Sequence, residues 1–286
     1  MKDKGHGKIF FALIVVVILS FQGWVREPIG QFFGKNNLLS QIGISQSTQN
    51  KLGAQTDNAT QNLSEAGKNA GLKINGKEVH DENFPFKVNG QRQFETQSLD
   101  ILSRAKRAHI QIRAQDLANV PERPDKITVD PSGWHNIKAG KPNGTGEYWV
   151  MNRGHLVGFQ FCGENSNEQN LISEFTYLNE GGYEFDETNT QGMTYYEQGL
   201  VEWLHENPNA WLDYEVSAIY KENELVPRQI QLKYVGITDD GKKQIPISLK
   251  SDYEVRSENV TTVILKNEDP NPKVSLDYFT GIVRIK

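Results

Sequence analysis

From the amino terminus, the first apolar positions form one unbroken run, Ile9 to Leu19, placed behind Lys2, Lys4 and Lys8. Ser20, Gln22 and Gly23 then soften the pattern, and Trp24 and Arg26 close it. A basic start followed by a short apolar core is the pattern of an export leader. The run is shorter than the roughly 20 residues that span a bilayer, yet no small-x-small cleavage site follows, and Trp24 suits an interface. A cleaved signal peptide and an uncleaved membrane anchor therefore fit residues 1–25 equally well, and either places the rest of the chain outside the cytoplasm. From Asn36 to Ala70 more than half of the positions are Asn, Gln, Ser, Thr or Gly, with no aromatic residue. Without periodic apolar spacing such a stretch cannot bury enough surface to fold, so residues 26–73 read as a solvated tether.

Periodic patterning begins near Phe84 and continues to the carboxyl terminus, which defines a folded part at 74–286. Phe84 to Val88 suggests a strand, and Leu99, Leu102, Ala105, Ile112 and Leu117 suggest a helix that ends before Pro121. Trp149 to Met151 runs through Asn152-Arg153-Gly154-His155 into Leu156 to Phe161, which reads as a hairpin with a histidine near its bend. Gly181-Gly182 breaks whatever element Phe175 to Asn179 forms. Tyr195, Tyr196, Leu200, Trp203 and Leu204 recur at helical spacing up to Pro208, with Glu197 in the first turns. Strand-like alternation then follows at Leu212 to Ala218, Ile230 to Tyr234 and Thr262 to Leu265, and in a closing hairpin turning at Thr280-Gly281. The fold class is α+β around a central antiparallel sheet with flanking helices.

Composition narrows the chemistry. A single cysteine, Cys162, excludes an intrachain disulfide framework and the usual multi-cysteine metal sites. As a thiol nucleophile beside His155 or His135 it is a weak candidate, because a lone cysteine after Phe159 and Phe161 is ordinarily a small buried hydrophobe. A formal charge of −5 argues against purely electrostatic nucleic-acid binding but leaves room for a local basic site. Arg104, Lys106 and Arg107 form such a stretch, and phosphate contact and plain solvation are equal readings of it. Glu180 to Glu224 carries 11 acidic residues and one base, Lys221. The loop Gly140-Lys-Pro-Asn-Gly-Thr-Gly lacks the spacing and hydroxyl residue of a phosphate-binding loop and reads as a hairpin turn.

His155, Arg153, Asn170, Asn179 and Glu197 together supply what phosphodiester hydrolysis needs. A neutral imidazole takes a proton from water, a guanidinium meets phosphate oxygens, and amide or carboxylate oxygens suit magnesium. Residue types alone leave a structural, hydrogen-bonded histidine as the ordinary alternative.

The motif Met151-Asn-Arg-Gly-His-Leu-Val-Gly-Phe-Gln-Phe-Cys-Gly-Glu-Asn, continued by Asn170-Leu-Ile and Tyr177-Leu-Asn179, resembles the non-specific DNA/RNA endonucleases of the His-Me finger (ββα-metal) superfamily, especially bacterial DNA-entry and streptodornase-like secreted nucleases. The resemblance extends from Leu99-Asp100 through Pro131-Ser-Gly-Trp134-His135 and Tyr195-Tyr-Glu197 to Leu276-Asp-Tyr-Phe-Thr-Gly281. It implies His155 as general base, Asn179 as direct ligand to Mg2+ (with Mn2+ as a substitute), Glu197 contacting the metal through water, Asn170 as support and Arg153 near the phosphate. The substrate implied is DNA, with RNA as a second. Asn152 stands where that motif usually has aspartate, and Glu197 lies beyond Gly181-Gly182, so Glu187 is a rival. The expectation is a secreted or membrane-anchored, magnesium-dependent endonuclease. The alternatives are a weakened nucleic-acid-binding or uptake module of the same fold, and a tethered partner-binding domain using the acidic stretch.

Overall fold

The computed structural model describes residues 84–286, which fall within one compact unit, Gly67–Lys286. The expected leader (1–25), the tether (26–73) and the first residues of the folded part (74–83) lie outside the described residues. Among the described residues no helix is long and apolar enough to cross a membrane.

The centre is a seven-stranded antiparallel sheet. Its strands are β1 (Gln93–Thr96), β2 (Arg107–Ile112), β7 (Trp211–Ile219), β8 (Gln229–Ile237), β9 (Gln244–Ile245), β10 (Val255–Ser257) and β11 (Val260–Lys266), in the order β1-β2-β7-β8-β11-β10 with β9 beside β8. Register explains the alternation in sequence. Ile110 pairs with Tyr214 and Tyr214 with Tyr234, so these side chains share the core-facing side with Ala108, Ile112, Val216 and Leu232. That face receives helix α4 (Met193–Glu206), whose Tyr196, Leu200 and Leu204 are buried. The approach is close at Gly236, where an added Cβ would lie 2.6 Å from the Trp203 ring. On the other face Trp211, Val235 and Ile237 are covered by Phe84, Val88 and Val260.

Two sequence expectations give way here. The helix drawn through Leu99 to Leu117 is instead a tight turn followed by β2 and a short helix, α1 (Ala114–Leu117). The Asp100 carboxylate accepts the backbone N–H groups of Leu102 (2.9 Å) and Arg104 (3.0 Å), and Ser103 adopts a φ of 57°. A side chain bonding its own backbone competes with the helix, and helical spacing of the apolar residues does not prevent it. In β2 five of six residues are buried, because polar partners cover the second face: His109 to Asp213 (2.6 Å) and Arg107 to Glu215 (3.1 Å). Phe84 to Val88 forms no strand; Phe86 donates its N–H to Asp213 (3.0 Å) and stacks on His109, ring centroids 3.6 Å apart.

Against the core face sits a smaller unit. Strands β3 (Lys138–Gly140) and β4 (Glu147–Trp149) form the expected hairpin around Gly140 to Gly146. Strand β5 (Met151–His155) pairs antiparallel with β6 (Leu171–Phe175), which leads directly into helix α3 (Thr176–Glu180). The segment Leu156 to Phe161, expected as the second strand of this hairpin, is a loop and a helical turn, α2 (Phe159–Cys162). Gly158 and a left-handed Gly163 (φ 72°) bound that turn and favour its closure. The carboxyl-terminal hairpin, β12 (Val274–Asp277) with β13 (Ile282–Ile285), turns at Thr280-Gly281 as the sequence indicates.

Candidate active site

The β5-β6-α3 unit and the side of α4 enclose a cleft of about 1280 Å³, lined by Asn152, Arg153, His155, Asn179 and Glu197 among others. His155 ends β5 opposite Leu171 and is 7% exposed. Its Nε2 lies 3.3 Å from the Asn165 carbonyl. A ring nitrogen that donates to a carbonyl leaves the other, Nδ1, as acceptor. Burial, and then the nearby Arg123 guanidinium, push the imidazole down to a pKa of about 4, so at neutral pH it holds no extra proton.

Arg153 lies antiparallel to Ser173 on β6. Its guanidinium is paired with Asp130 (2.6 Å) and stacked on Trp134 at 4.4 Å, which fixes its plane at the cleft wall. Asn152 accepts from the Thr176 hydroxyl (3.1 Å) and donates its amide to Glu180 (2.7 Å). Neutral at this position, it bridges the start of α3 to a carboxylate at its end. Asn179 reaches the cleft from α3, and among the described residues its amide has no hydrogen-bond partner, so its oxygen is available to a ligand.

Glu197 enters from α4. Its carboxylate accepts the Gly158 N–H (3.0 Å) and the Gln160 amide (2.8 Å), which ties α4 to the loop after His155. Crowding by protein atoms raises its pKa to about 7, against those two hydrogen bonds and Arg123, although the side chain keeps some surface along the cleft. Glu187 is exposed, in the loop after α3, and lines no part of the cleft; the helix stops at Gly181, whose φ is 79°.

Asn170 is fully buried and does not line the cleft. Its side chain accepts from the Val157 N–H (3.0 Å) and donates to the Val157 carbonyl (2.9 Å), holding the loop that follows His155. Arg104, Lys106 and Arg107 also lie off the cleft. Arg104 is 3% exposed; its guanidinium binds Asp100 (2.7 Å) and the carbonyls of Glu222 and Glu224 (2.8 Å each) and stacks on Tyr220. That is an internal anchor, buried away from any phosphate. Arg107 pairs with Glu215, and the Lys106 carbonyl accepts from Ala218 (2.8 Å). The acidic stretch likewise forms no single surface: Asp213 and Glu215 are inside the sheet and Glu197 is in the cleft. Cys162 is buried with its thiol pushed up to about 11, which excludes a thiolate nucleophile at neutral pH.

Several neighbours escaped the sequence reading. Arg123 reaches the cleft from the long loop after α1, stacked on Phe159 at 5.6 Å and bonded to Asn165 (3.3 Å). Glu174, opposite Asn152 on β6, is fully buried, and both carboxylate oxygens lack a hydrogen-bond partner among the described residues. Burial, followed by the charges of Glu197 and Glu180, raises its pKa well above the ordinary carboxylate value. It fits there because residue 154 is glycine: a Cβ at Gly154 would lie 1.8 Å from a Glu174 oxygen. A lone glycine inside a strand is the one signal in sequence for such a close approach.

The donors facing the cleft are hard oxygens, from the Asn179 amide and the Glu197 and Glu180 carboxylates. No cluster of three or more His, Cys, Asp or Glu residues able to cage a metal exists among the described residues. That combination fits a cation that takes few protein ligands and keeps several waters, as magnesium does.

A family model for DNA/RNA non-specific endonucleases matches residues 83–236. A solved extracellular nuclease is 38% identical over 73% of this chain and 100% of its own, with a TM-score of 0.57. A solved extracellular endonuclease is 40% identical over 72% of this chain and 91% of its own, with a TM-score of 0.56. The Sda1 nuclease, solved with a bound zinc ion, is 20% identical over 68% of this chain and 82% of its own; its TM-score of 0.51 indicates a shared fold. No curated protein sequence matches the chain.

Proposed function

The chain belongs to the DNA/RNA non-specific endonuclease family, and from that premise we propose that it hydrolyses phosphodiester bonds of DNA, and of RNA, outside the cell, using His155 as general base and Mg2+ bound by Asn179. The observation that carries the reading is the meeting of a neutral, buried imidazole, an unpartnered amide oxygen and a carboxylate in one cleft, although they come from β5, α3 and α4.

In this reading the attacking water gives its proton to His155 Nδ1, while Nε2 stays fixed on the Asn165 carbonyl. Arg153, already planar against Trp134, and Arg123 face the phosphate and offset its growing negative charge. Asn179 would hold the metal directly and Glu197 through water, and a cation bound there would supply neutralisation of charge on the scissile phosphate and the leaving oxygen. Asn170 positions His155 through the Val157 loop. The chemistry touches only phosphate and sugar, which every nucleotide shares, so sequence preference is low. The extracellular assignment draws on the two solved relatives, each named extracellular, and on the leader-like start of the sequence.

The test is cleavage of plasmid DNA and of a structured RNA by the full-length protein with Mg2+, with Mn2+, and with EDTA. Cutting of both substrates that stops in EDTA is the expected result, and undiminished cutting in EDTA would refute the metal assignment.

A further inference from the structure

Two large aromatic side chains are held out at the mouth of this cleft. Trp149 is 53% exposed and Phe185 is 60% exposed, and both line the same cleft as His155 and Asn179. Neither is loosely placed. Alternation along β4 turns Tyr148 into the core and Trp149 outward. The Trp149 carbonyl accepts from the Thr176 hydroxyl (2.5 Å), and the Thr176 N–H bonds the next carbonyl, Val150 (3.0 Å), so the backbone that carries the ring is tied to the start of the helix that carries Asn179. Phe185 lies between two anchored residues. Glu184 is ion-paired with Lys141, and the Asp186 N–H bonds the Glu180 carbonyl (2.8 Å). Asn189 closes the same loop onto the Gly181 carbonyl (2.6 Å).

Lys138, paired with Trp149 across the hairpin, lies 5.2 Å from its ring centre, and Arg153 covers Trp134 on the same cleft wall, whereas Phe185 stands between the exposed Glu184 and Asp186 and offers a ring face without a cation. Exposed rings beside a phosphate-cleaving site, with Lys138 and Arg153 on the Trp149 side to meet the backbone, match a strand whose bases are free to stack. In a duplex the base faces are already occupied by neighbouring bases, so exposed rings gain nothing from them without unpairing. The geometry points to Trp149 and Phe185 as a base-stacking subsite that makes this enzyme favour unpaired, single-stranded nucleic acid. The inference rests on the nuclease reading above for its substrate class, and adds a preference that backbone chemistry alone does not supply.

The test measures binding by fluorescence anisotropy in EDTA, so that nothing is cut. The ligands are a short oligodeoxyadenylate, a strand of equal length made of abasic sites, and a duplex, each against the full-length protein and its Trp149→Ala, Trp149→Phe and Phe185→Ala variants. A stacked base strengthens binding by a factor of roughly 5 to 150, so the parent should prefer the base-bearing strand to the abasic one by that order. Trp149→Ala and Phe185→Ala should each remove much of that preference, leave abasic and duplex binding within about twofold, and Trp149→Phe should restore most of it. Equal affinity of the parent for the two single strands, or an equal loss on all three ligands, would overturn the proposal. Cleavage with Mg2+ is scored separately. A parent that stacks bases but never cuts contradicts the function proposed above and leaves this subsite standing, whereas one that cuts without distinguishing bases does the reverse.

Discussion

Replacing Glu197 by glutamine should change the pH dependence of stability in a direction set by burial. In the folded chain the Glu197 carboxyl loses its proton at about 7, against an ordinary value of 4.5. Below 4.5 it is protonated folded and unfolded, and contributes nothing. Between 4.5 and 7 the unfolded chain has released a proton that the folded chain still holds, so stability falls as pH rises, and above 7 the full penalty is present. One pKa unit corresponds to about 1.4 kcal/mol; allowing for the surface Glu197 retains on the cleft, the penalty is about 1–3 kcal/mol. Glutamine keeps an acceptor for the Gly158 N–H and carries no charge. The assay is urea denaturation of parent and Glu197→Gln in EDTA across that pH range, read as the difference between the two, which removes the contributions of groups that Glu197 does not influence; relief of Glu174, whose pKa Glu197 helps to raise, acts in the same direction. The variant should gain about 1–3 kcal/mol on the parent between pH 4.5 and 8, while losing nuclease activity. A difference that stays flat, or that grows as pH falls, would refute the buried-carboxylate argument.

The remaining predictions use other parts of the site. His155 has the opposite sign: its lowered pKa makes the parent lose stability relative to His155→Ala as pH falls from 6.5 to about 4, by about 2–3 kcal/mol in urea melts. Asn152→Asp places a second carboxylate against Glu180, replacing a 2.7 Å donor contact; thermal melting at pH 8 should show a loss of about 1.5–3 kcal/mol, and unchanged stability would contradict that contact. Asn170→Ala strips both partners from Val157 and should cost about 1–3 kcal/mol in urea, together with most of the kcat and little change in KM. Arg104→Ala breaks a buried ion pair and should cost about 3–5 kcal/mol, while DNA affinity of the folded fraction, measured by anisotropy, stays at the parental value.

Contiguous features were legible in the sequence. The alternation at Leu212 to Ala218 and Ile230 to Tyr234 gives β7 and β8 directly, since each residue's face follows from its neighbour, and the helical repeat from Tyr195 to Leu204 gives α4 with Glu197 on it. Of the residues the motif from Asn152 to Asn179 singled out, Asn152, Arg153, His155 and Asn179 line one cleft, and Asn170 lies buried behind it. What misled was polar bonding hidden from periodicity. Asp100 closes a turn on its own backbone where apolar spacing suggested a helix, and Arg104 is consumed by that turn, so a basic stretch became an internal anchor. Strand β2 did not show as a strand in the sequence because His109 and Gln111 are buried through Asp213, a partner more than a hundred residues away. Arg123 and Glu174 were invisible for the same reason: their roles depend on contacts made only after folding, with Asn165 and with the bare backbone of Gly154.

The most direct test of the central claim is plasmid nicking by His155→Ala in Mg2+, with and without added imidazole, compared with the parent and with Asn179→Ala. Removing a general base slows cleavage by about 10²–10⁴-fold, and free imidazole should restore part of the loss in His155→Ala and none in Asn179→Ala. A His155→Ala protein that nicks within about threefold of the parental rate would contradict the assignment of His155 as the base.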